Sequence, residues 1–374
     1  MGLQPIGPGD PLAARRPDYR MLLRALARYR LLAADTTIPE FPAPPTLPVR
    51  AGDSLATIAE LRARLIALGD LSTSANPDAS GRYAEPVIGG VRSFQSRHGL
   101  DPDGIIGPAT LAQLQAPLAS RVRDIEQSLE RIRAEPPVDS GPYVVVNVPA
   151  FRLLAFNGPT EDSVPALSMK VIVGRATRTP TPTLAVSLGY LDFWPDWNVP
   201  WSIVVNEIIP ILRRDSLYLR RQDMELLGRG DVALGDTVTP SVIESLHSGA
   251  LRLRQRSGPA NPLGRVKFVI PNLANIFLHD TPGAELFSKT RRDFSHGCIR
   301  VEDARSLAIW VMRPDPAWGA DSIDAAMVGP ASRRVPLPRP IRVIVEYNTA
   351  MATADGRVWF PPDIYGLGNE PPKR

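Results

Sequence analysis

The sequence predicts an α+β multidomain protein: a small three-helix unit in the first third, then a mainly-β body carrying a helical and loop insertion. Three observations lead there. Apolar residues recur at helical spacing up to about residue 133, and β-branched runs between Gly/Pro turns dominate from residue 143 onward. The 40 prolines among 374 residues, about twice the usual share, favour turns, edge strands and ordered linkers over a helical bundle.

Composition narrows the function classes. The hydrophobic share of 44% and charged share of 22% are those of a globular chain, long enough for two or three domains with real cores. The net charge of +4 is modest, and the arginines are scattered without a basic tract interleaved with aromatics, so nucleic-acid binding is a poor reading. A mildly basic surface suits a polymer rich in carboxylates. The single cysteine, Cys298, excludes an internal disulfide and a Cys-rich zinc site, and leaves the compartment open. No apolar run is long enough to span a membrane, and residues 1–18 lack a signal-peptide core. The expectation is a cytoplasmic protein or a chain that begins inside a longer precursor.

Residues 17–34 read as an amphipathic helix with Leu22, Leu23, Leu26, Tyr29 and Leu32 on one side. It has no evident partner, so either an N-terminal element is missing or the helix packs on a later domain. A proline-rich linker follows at 38–48. In the next unit, Asp53 or Ser54 is placed to cap a helix through Ile58, Leu61, Leu65 and Leu68, ended by Gly69. A second helix covers about 83–98, with Val87, Val91 and Phe94 inward, and a turn-rich loop leads into a third. Residues 120–133 form another helix. Strand signals then fall at 143–148, 151–156, 168–173, 184–191, 266–270 and 341–347, while 202–246 reads as helix and loop, a candidate lid.

The chemistry concentrates near residue 298. Cys298 lies in Ser295-His296-Gly297-Cys298-Ile299-Arg300, nineteen residues after His279, and the chain holds only four histidines. A thiol with a pKa of about 8.5 needs a base, and His279 at the end of the apolar run 275–278 can supply one. Gly297 lets backbone amides approach a developing oxyanion. Arg300 is placed to bind a carboxylate. His296 reads as a donor beside the thiol, and Ser295 as a residue that holds the loop. Asp280 is a possible orienter of His279, but a backbone carbonyl is equally suited. His98 and His247 read as surface or loop residues. A zinc site of His279, His296 and Cys298 lacks a further ligand at suitable spacing. A papain-like protease is excluded by order, since here the histidine precedes the cysteine.

Two families are resembled. Val91, Phe94, Gln95, Gly99, Leu100, Asp103, Gly104, Gly107, Pro108 and Thr110 stand where the type 1 peptidoglycan-binding domain, a three-helix fold, has its motif. His279 followed by Ser295-His296-Gly297-Cys298-Ile299-Arg300 resembles the signature of the YkuD-type L,D-transpeptidase catalytic domain. The flanks Asn261-Pro262-Leu263-Gly264-Arg265-Val266-Lys267-Phe268, Trp197-Asn198-Val199-Pro200-Trp201 and Asp363-Ile364-Tyr365-Gly366 are similar to those of large periplasmic murein L,D-transpeptidases with a capping subdomain. Phe277 departs from the tyrosine common in relatives two residues before the base.

The resemblance implies the following division: 1–48, remnant of a helical scaffold and linker; 49–118, peptidoglycan-binding domain; 119–140, connecting helix and linker; 141–368, catalytic domain with a capping insertion at about 202–257; 369–374, tail. It implies Cys298, His279, His296 and Gly297 as catalytic residues, and Arg300, Ser295 and Phe277 as substrate-binding, with no metal and no cofactor. Partners would be peptidoglycan stem peptides and glycan, with carbapenems as inhibitors, no nucleic acid, and membrane contact only through an N-terminal segment that is missing together with the secretion signal. The expected location is the periplasm or cell envelope. The implied reaction is 3-3 cross-linking through a Cys298 thioester. An L,D-carboxypeptidase, in which water resolves the thioester, stays open, as does a non-catalytic wall-binding scaffold, against which the intact Cys298, His279 and Gly297 count.

Overall fold

The computed structural model describes residues 10–73, 81–136, 138, 141–158, 164–329, 332–368 and 370. The helical periodicity of the first third becomes five helices: α1 (Pro17–Ala34), α2 (Ile58–Leu68), α3 (Val87–Arg97), α4 (Pro108–Gln115) and α5 (Leu118–Ala134). Pro17 and Pro108 open their helices, where a missing N–H costs nothing. Gly69 ends α2 in the left-handed region at φ 84°. Neither Asp53 nor Ser54 caps α2. The Asp53 carboxylate accepts from the Arg50 amide at 2.7 Å, Ser54 forms a backbone bridge with Arg82, and α2 begins only after Thr57.

The apolar side of α1 is not unpartnered. Tyr19, Leu22, Leu26 and Tyr29 share one core with Leu61, Leu65, Val91, Phe94, Leu114, Ile125 and Leu129, and with Val358 and Phe360 from near the C-terminus. His98 belongs to this core too. It is 3% exposed and stacks on Phe94, so the surface reading of it was wrong; the two aromatic rings of one helix end bury each other. His247 is exposed as expected.

The ordered motif of this region forms a hydrogen-bonded knot. Buried Gln95 donates to Asp103 Oδ1, the Ile105 carbonyl and Thr110 Oγ1 at 2.9–3.1 Å, and accepts from the Gly104 amide at 2.8 Å. Gly104, at φ 76°, has Ile88 where a Cβ would stand, 2.7 Å away. These residues recur together because they satisfy one another.

After residue 141 the β-branched runs close into a barrel. Its strands are β1 (Tyr143–Asn147), β2 (Arg152–Phe156), β3 (Leu167–Ile172), β4 (Leu184–Phe193), β8 (Val266–Val269), β9 (Leu278–His279), β10 (Ile299–Val301) and β11 (Arg333–Glu346), paired in the order β1-β11-β4-β8-β9-β10-β3-β2. Closure leaves no unpaired edge. Inward residues such as Val144, Val146, Leu153, Val171, Leu191, Phe268, Leu278, Ile299 and Val343 make its core. β11 starts well before the expected 341. Pro336 lies in an early stretch that pairs only with β4, and a register shift at Pro336/Ile341 absorbs the proline-rich segment.

Between β4 and β8 the insertion forms a lobe of short helices and a three-stranded sheet of β5 (Trp197–Asn198), β6 (Met224–Leu227) and β7 (Arg252–Gln255), in the order β5-β7-β6. Its core is its own: Val204, Ile208, Leu212, Leu219, Leu226, Leu246 and Leu253 pack together. A small hairpin of β12 (Met351–Ala352) and β13 (Val358–Trp359) follows the barrel and docks on the helical body.

Candidate active site

The barrel register brings the expected residues to one face. β9 and β10 run parallel, with Leu278 opposite Ile299 and His279 opposite Arg300. Alternation sends buried Leu278 and Ile299 into the core. Phe277, His279, Cys298 and Arg300 therefore share the other face. Lys267 of β8 lies directly across from His279 and joins them. Lys267 stands in the flanking string quoted above, but its place opposite His279 depends on the register of a non-local pair.

Cys298 is half-buried, and its Sγ faces the Asn275 carbonyl at 3.8 Å. Burial pushes the thiol pKa up, opposed by a backbone hydrogen bond from Phe277 and by the charges of Lys267 and Arg300. Among the described residues it makes no hydrogen bond to His279. Such bonds often form only when substrate arrives. His279 is 4% exposed, and its Nδ1 donates to the Asp280 carbonyl at 2.6 Å. A carbonyl only accepts, so Nδ1 carries the proton; the Pro262 carbonyl also interacts with the ring. The Asp280 carboxylate points away and accepts from the Arg265 amide at 2.9 Å. Burial, with Arg300 and Lys267 adding to it, pushes the His279 pKa down to about 3. The ring is therefore neutral at rest.

The loop before Cys298 is held from both sides. Ser295 is 2% exposed; its Oγ donates to the Cys298 carbonyl at 2.5 Å and accepts from the Gly297 amide at 3.1 Å. A hydroxyl so committed is not free for substrate, which corrects the substrate-binding expectation for Ser295. Gly297 adopts φ 109°, a conformation L side chains rarely take. Its own amide is taken by Ser295, so it is the Cys298 amide, without a protein partner among the described residues, that is left for an oxyanion. Behind it sits Gly174, where a Cβ would come within 3.0 Å of the Gly297 Cα and 1.9 Å of the Thr179 carbonyl. Thr181 Oγ1 donates to the Gly297 carbonyl and accepts from the Gly174 amide, both at 2.8 Å, while Tyr365 donates to the Gly174 carbonyl at 2.6 Å. Tyr365 belongs to the C-terminal string quoted above, so its signal was present in the sequence; that of Thr181 was not.

His296 does not turn toward the thiol, as had been expected. Its Nε2 meets Glu207 Oε1 of the insertion at 2.6 Å, with Arg175 3.9 Å from the same oxygen. Arg300 is partly buried, and its Nε is buried without a partner among the described residues. That unsatisfied donor fits a ligand carboxylate. Phe277 lies 5.6 Å from the His279 ring and under the Lys267 ammonium, 3.9 Å from Nζ to the ring centroid. A cavity of about 650 Å³ lined by Arg131, Glu135, Thr181, Glu346 and Tyr365 includes neither Cys298 nor His279 nor Arg300 in its walls. Among the described residues, no group of three or more His, Cys, Asp or Glu is arranged to hold a metal, and no helix is long and apolar enough to cross a membrane.

Residues 141–328 match the family model for the L,D-transpeptidase catalytic domain (YkuD), and residues 54–114 match that of the "Putative peptidoglycan binding domain". A Haemophilus influenzae protein described as "Putative L,D-transpeptidase" is 29% identical over 258 residues, covering 67% of this chain and 50% of that protein. The chain thus spans about half the length of this curated relative. Among solved structures, a fused Zn-dependent amidase/peptidase/peptidoglycan-binding domain-containing protein from Clostridium acetobutylicum is 12% identical, covering 81% of this chain and 100% of that one. Its TM-score of 0.22 carries no argument.

Proposed function

Because the chain belongs to the L,D-transpeptidase catalytic domain family, we propose that it forms 3-3 cross-links in peptidoglycan through a thioester on Cys298, in the periplasm or cell envelope. We keep the five-part division and the site residues stated above as part of this reading, with Ser295 moved from substrate contact to loop support. The observation that carries it is the shared face of Cys298, His279 and the unsatisfied Arg300 on neighbouring strands.

The steps follow from the groups present. His279 Nε2 takes the thiol proton, and Sγ attacks the carbonyl that joins the L-centre of diaminopimelate to the terminal D-alanine. The oxyanion is met by the Cys298 amide, which in comparable sites lowers the barrier by about 2.7–4 kcal/mol per donor. The C–N bond breaks, the imidazolium returns its proton to the leaving amine, and D-alanine departs. The side-chain amine of a second stem then attacks the thioester, the C–S bond breaks, and the amine proton returns to the sulfur by way of His279. Arg300 holds a donor carboxylate, and the peptidoglycan-binding unit keeps the enzyme on its polymer. A carbapenem acylates the same sulfur, because a strained lactam replaces the scissile amide.

Mass spectrometry of the enzyme with disaccharide tetrapeptide tests the reading. Dimeric 3-3 product from the wild type and none from Cys298→Ala is expected. Tripeptide without dimer would replace cross-linking by L,D-carboxypeptidase action, and identical mixtures from both proteins would end the catalytic reading.

A further inference from the structure

A neutral histidine can take the proton of Cys298, but at rest it offers the sulfur no positive charge. The residues around it do. Across the outer face, the register places Arg334, Asp192, Lys267, His279 and Arg300 in one row over the adjacent strands β11, β4, β8, β9 and β10. Arg334 and Asp192 satisfy each other through two bonds of 2.8 and 3.1 Å. Lys267 thus faces a carboxylate already engaged on one side and the neutral His279 on the other. Its ammonium sits over the Phe277 ring, 3.9 Å from the centroid, a seat that attracts a cation and fixes the lysine beside the residues flanking Cys298. A ring without a hydroxyl serves this purpose as a tyrosine ring would, so the Phe277 departure leaves the seat intact.

We propose that Lys267, carried next to His279 and seated on Phe277, supplies the standing positive charge that stabilises the Cys298 thiolate. Lys267 acts through the sulfur's electrostatic surroundings and is a positioning residue. The inference rests on Cys298 being the reacting group, as proposed above. The titratable and charged groups facing the sulfur and its neighbours come from every adjoining element: Lys267 on β8, the neutral His279 on β9, Arg300 on β10, Arg175 after β3, Glu285 after β9, and Asp192 with Arg334 behind Lys267. Arg300 contributes in the same sense as Lys267 but is reserved by its unpaired Nε for a carboxylate; once substrate neutralises it, Lys267 is the cation left to the sulfur. Burial lowers the lysine's own pKa, while Asp192 and then Cys298 pull it up, the latter the reciprocal of its effect on the thiol.

The test reads the thiol directly. Cys298 is the only cysteine, so alkylation by iodoacetamide, followed by intact mass across pH, reports its ionisation without ambiguity. The reagent is uncharged, and removing a cation does not change its approach. Lys267→Met and Lys267→Gln are expected to move the alkylation midpoint up by about one pH unit, roughly tenfold less thiolate at neutral pH, with Lys267→Arg close to wild type. Thermal unfolding confirms that each variant is folded. Coincident curves for wild type, Lys267→Met and Lys267→Gln would overturn the inference, as would Lys267→Arg behaving like Lys267→Met. A shifted curve in an enzyme that makes no cross-linked product would sustain the inference and sink the reaction assigned above, so the two failures are separable.

Discussion

At residue scale, Thr181 shows how the loop that presents Cys298 is fixed. One hydroxyl serves two backbones, donating to the Gly297 carbonyl and accepting from the Gly174 amide. Thr181→Val keeps the shape and strands both groups in a buried place, which costs about 1–3 kcal/mol. Urea unfolding should register that loss, and carbapenem acylation of Cys298 should slow several-fold as the loop loosens. Thr181→Ser keeps both bonds and should lie nearer wild type. The residues of the site divide here by what a sequence can display. Cys298, His279 and Gly297 were legible, because a base, then a glycine, then a thiol in that order already constrain the chemistry. Thr181 and Glu207 were not, and Lys267 stood in a quoted string without a role attached to it. Their roles arise from strand register and from an insertion folding back on the loop, and neither is encoded in local spacing.

At the scale of elements, the insertion is a lobe with its own core, joined to the loop before Cys298 through a polar contact. Glu207 lies on a wide π-type turn, Val204–Ile208, and meets His296 and Arg175 with side chains that are about a third to a half exposed. Exposed ion pairs contribute only about 0–1 kcal/mol, so this contact is weak enough to open and close. Glu207→Ala should leave the unfolding midpoint within a degree or two of wild type. It should nonetheless raise hydrogen exchange over residues 294–298 and increase the share of tripeptide over dimer about two- to fivefold, because a looser lobe admits water to the proposed thioester. An unchanged product ratio would remove the lobe from control of the reaction. Legibility follows the same division by range. The five helices and the strands at 143–148, 184–191 and 266–270 were readable from periodicity. β6 was not, because all four residues of Met224–Leu227 are buried and no alternation betrays a strand. The early half of β11 was hidden by its prolines.

At the scale of the whole molecule, the helical body and the barrel are joined by buried charge as well as apolar packing. Gly99, at φ 66°, lies against Pro362, and Thr290, eight residues before Cys298, bonds to Asp101 of the peptidoglycan-binding unit at 2.5 Å. Arg97, paired with buried Asp70, donates to the Val358 carbonyl at 3.0 Å. At the other junction Arg16, 1% exposed, pairs with Asp18 of α1, Glu135 after α5 at 2.7 Å and Glu346 of β11 at 3.4 Å. Three carboxylates around one guanidinium cannot all ionise cheaply in a buried place. Burial first, then the charge of Glu135, holds the Glu346 carboxyl well above its ordinary value of 4.5, against the pull of Arg16. The folded chain therefore keeps a proton on Glu346 at pH values where the unfolded chain has released it. Stability from this group is full below about pH 4.5 and is lost as pH rises through the raised folded value. Glu346→Gln fixes the neutral form with nearly the same shape and removes that slope. Melting temperatures measured from pH 5 to 8 should fall less steeply for Glu346→Gln than for wild type, leaving the variant a few degrees more stable at pH 8. A variant destabilised equally at both ends would mean that Glu346 is ionised throughout and that its charge, paired with Arg16, holds the junction closed.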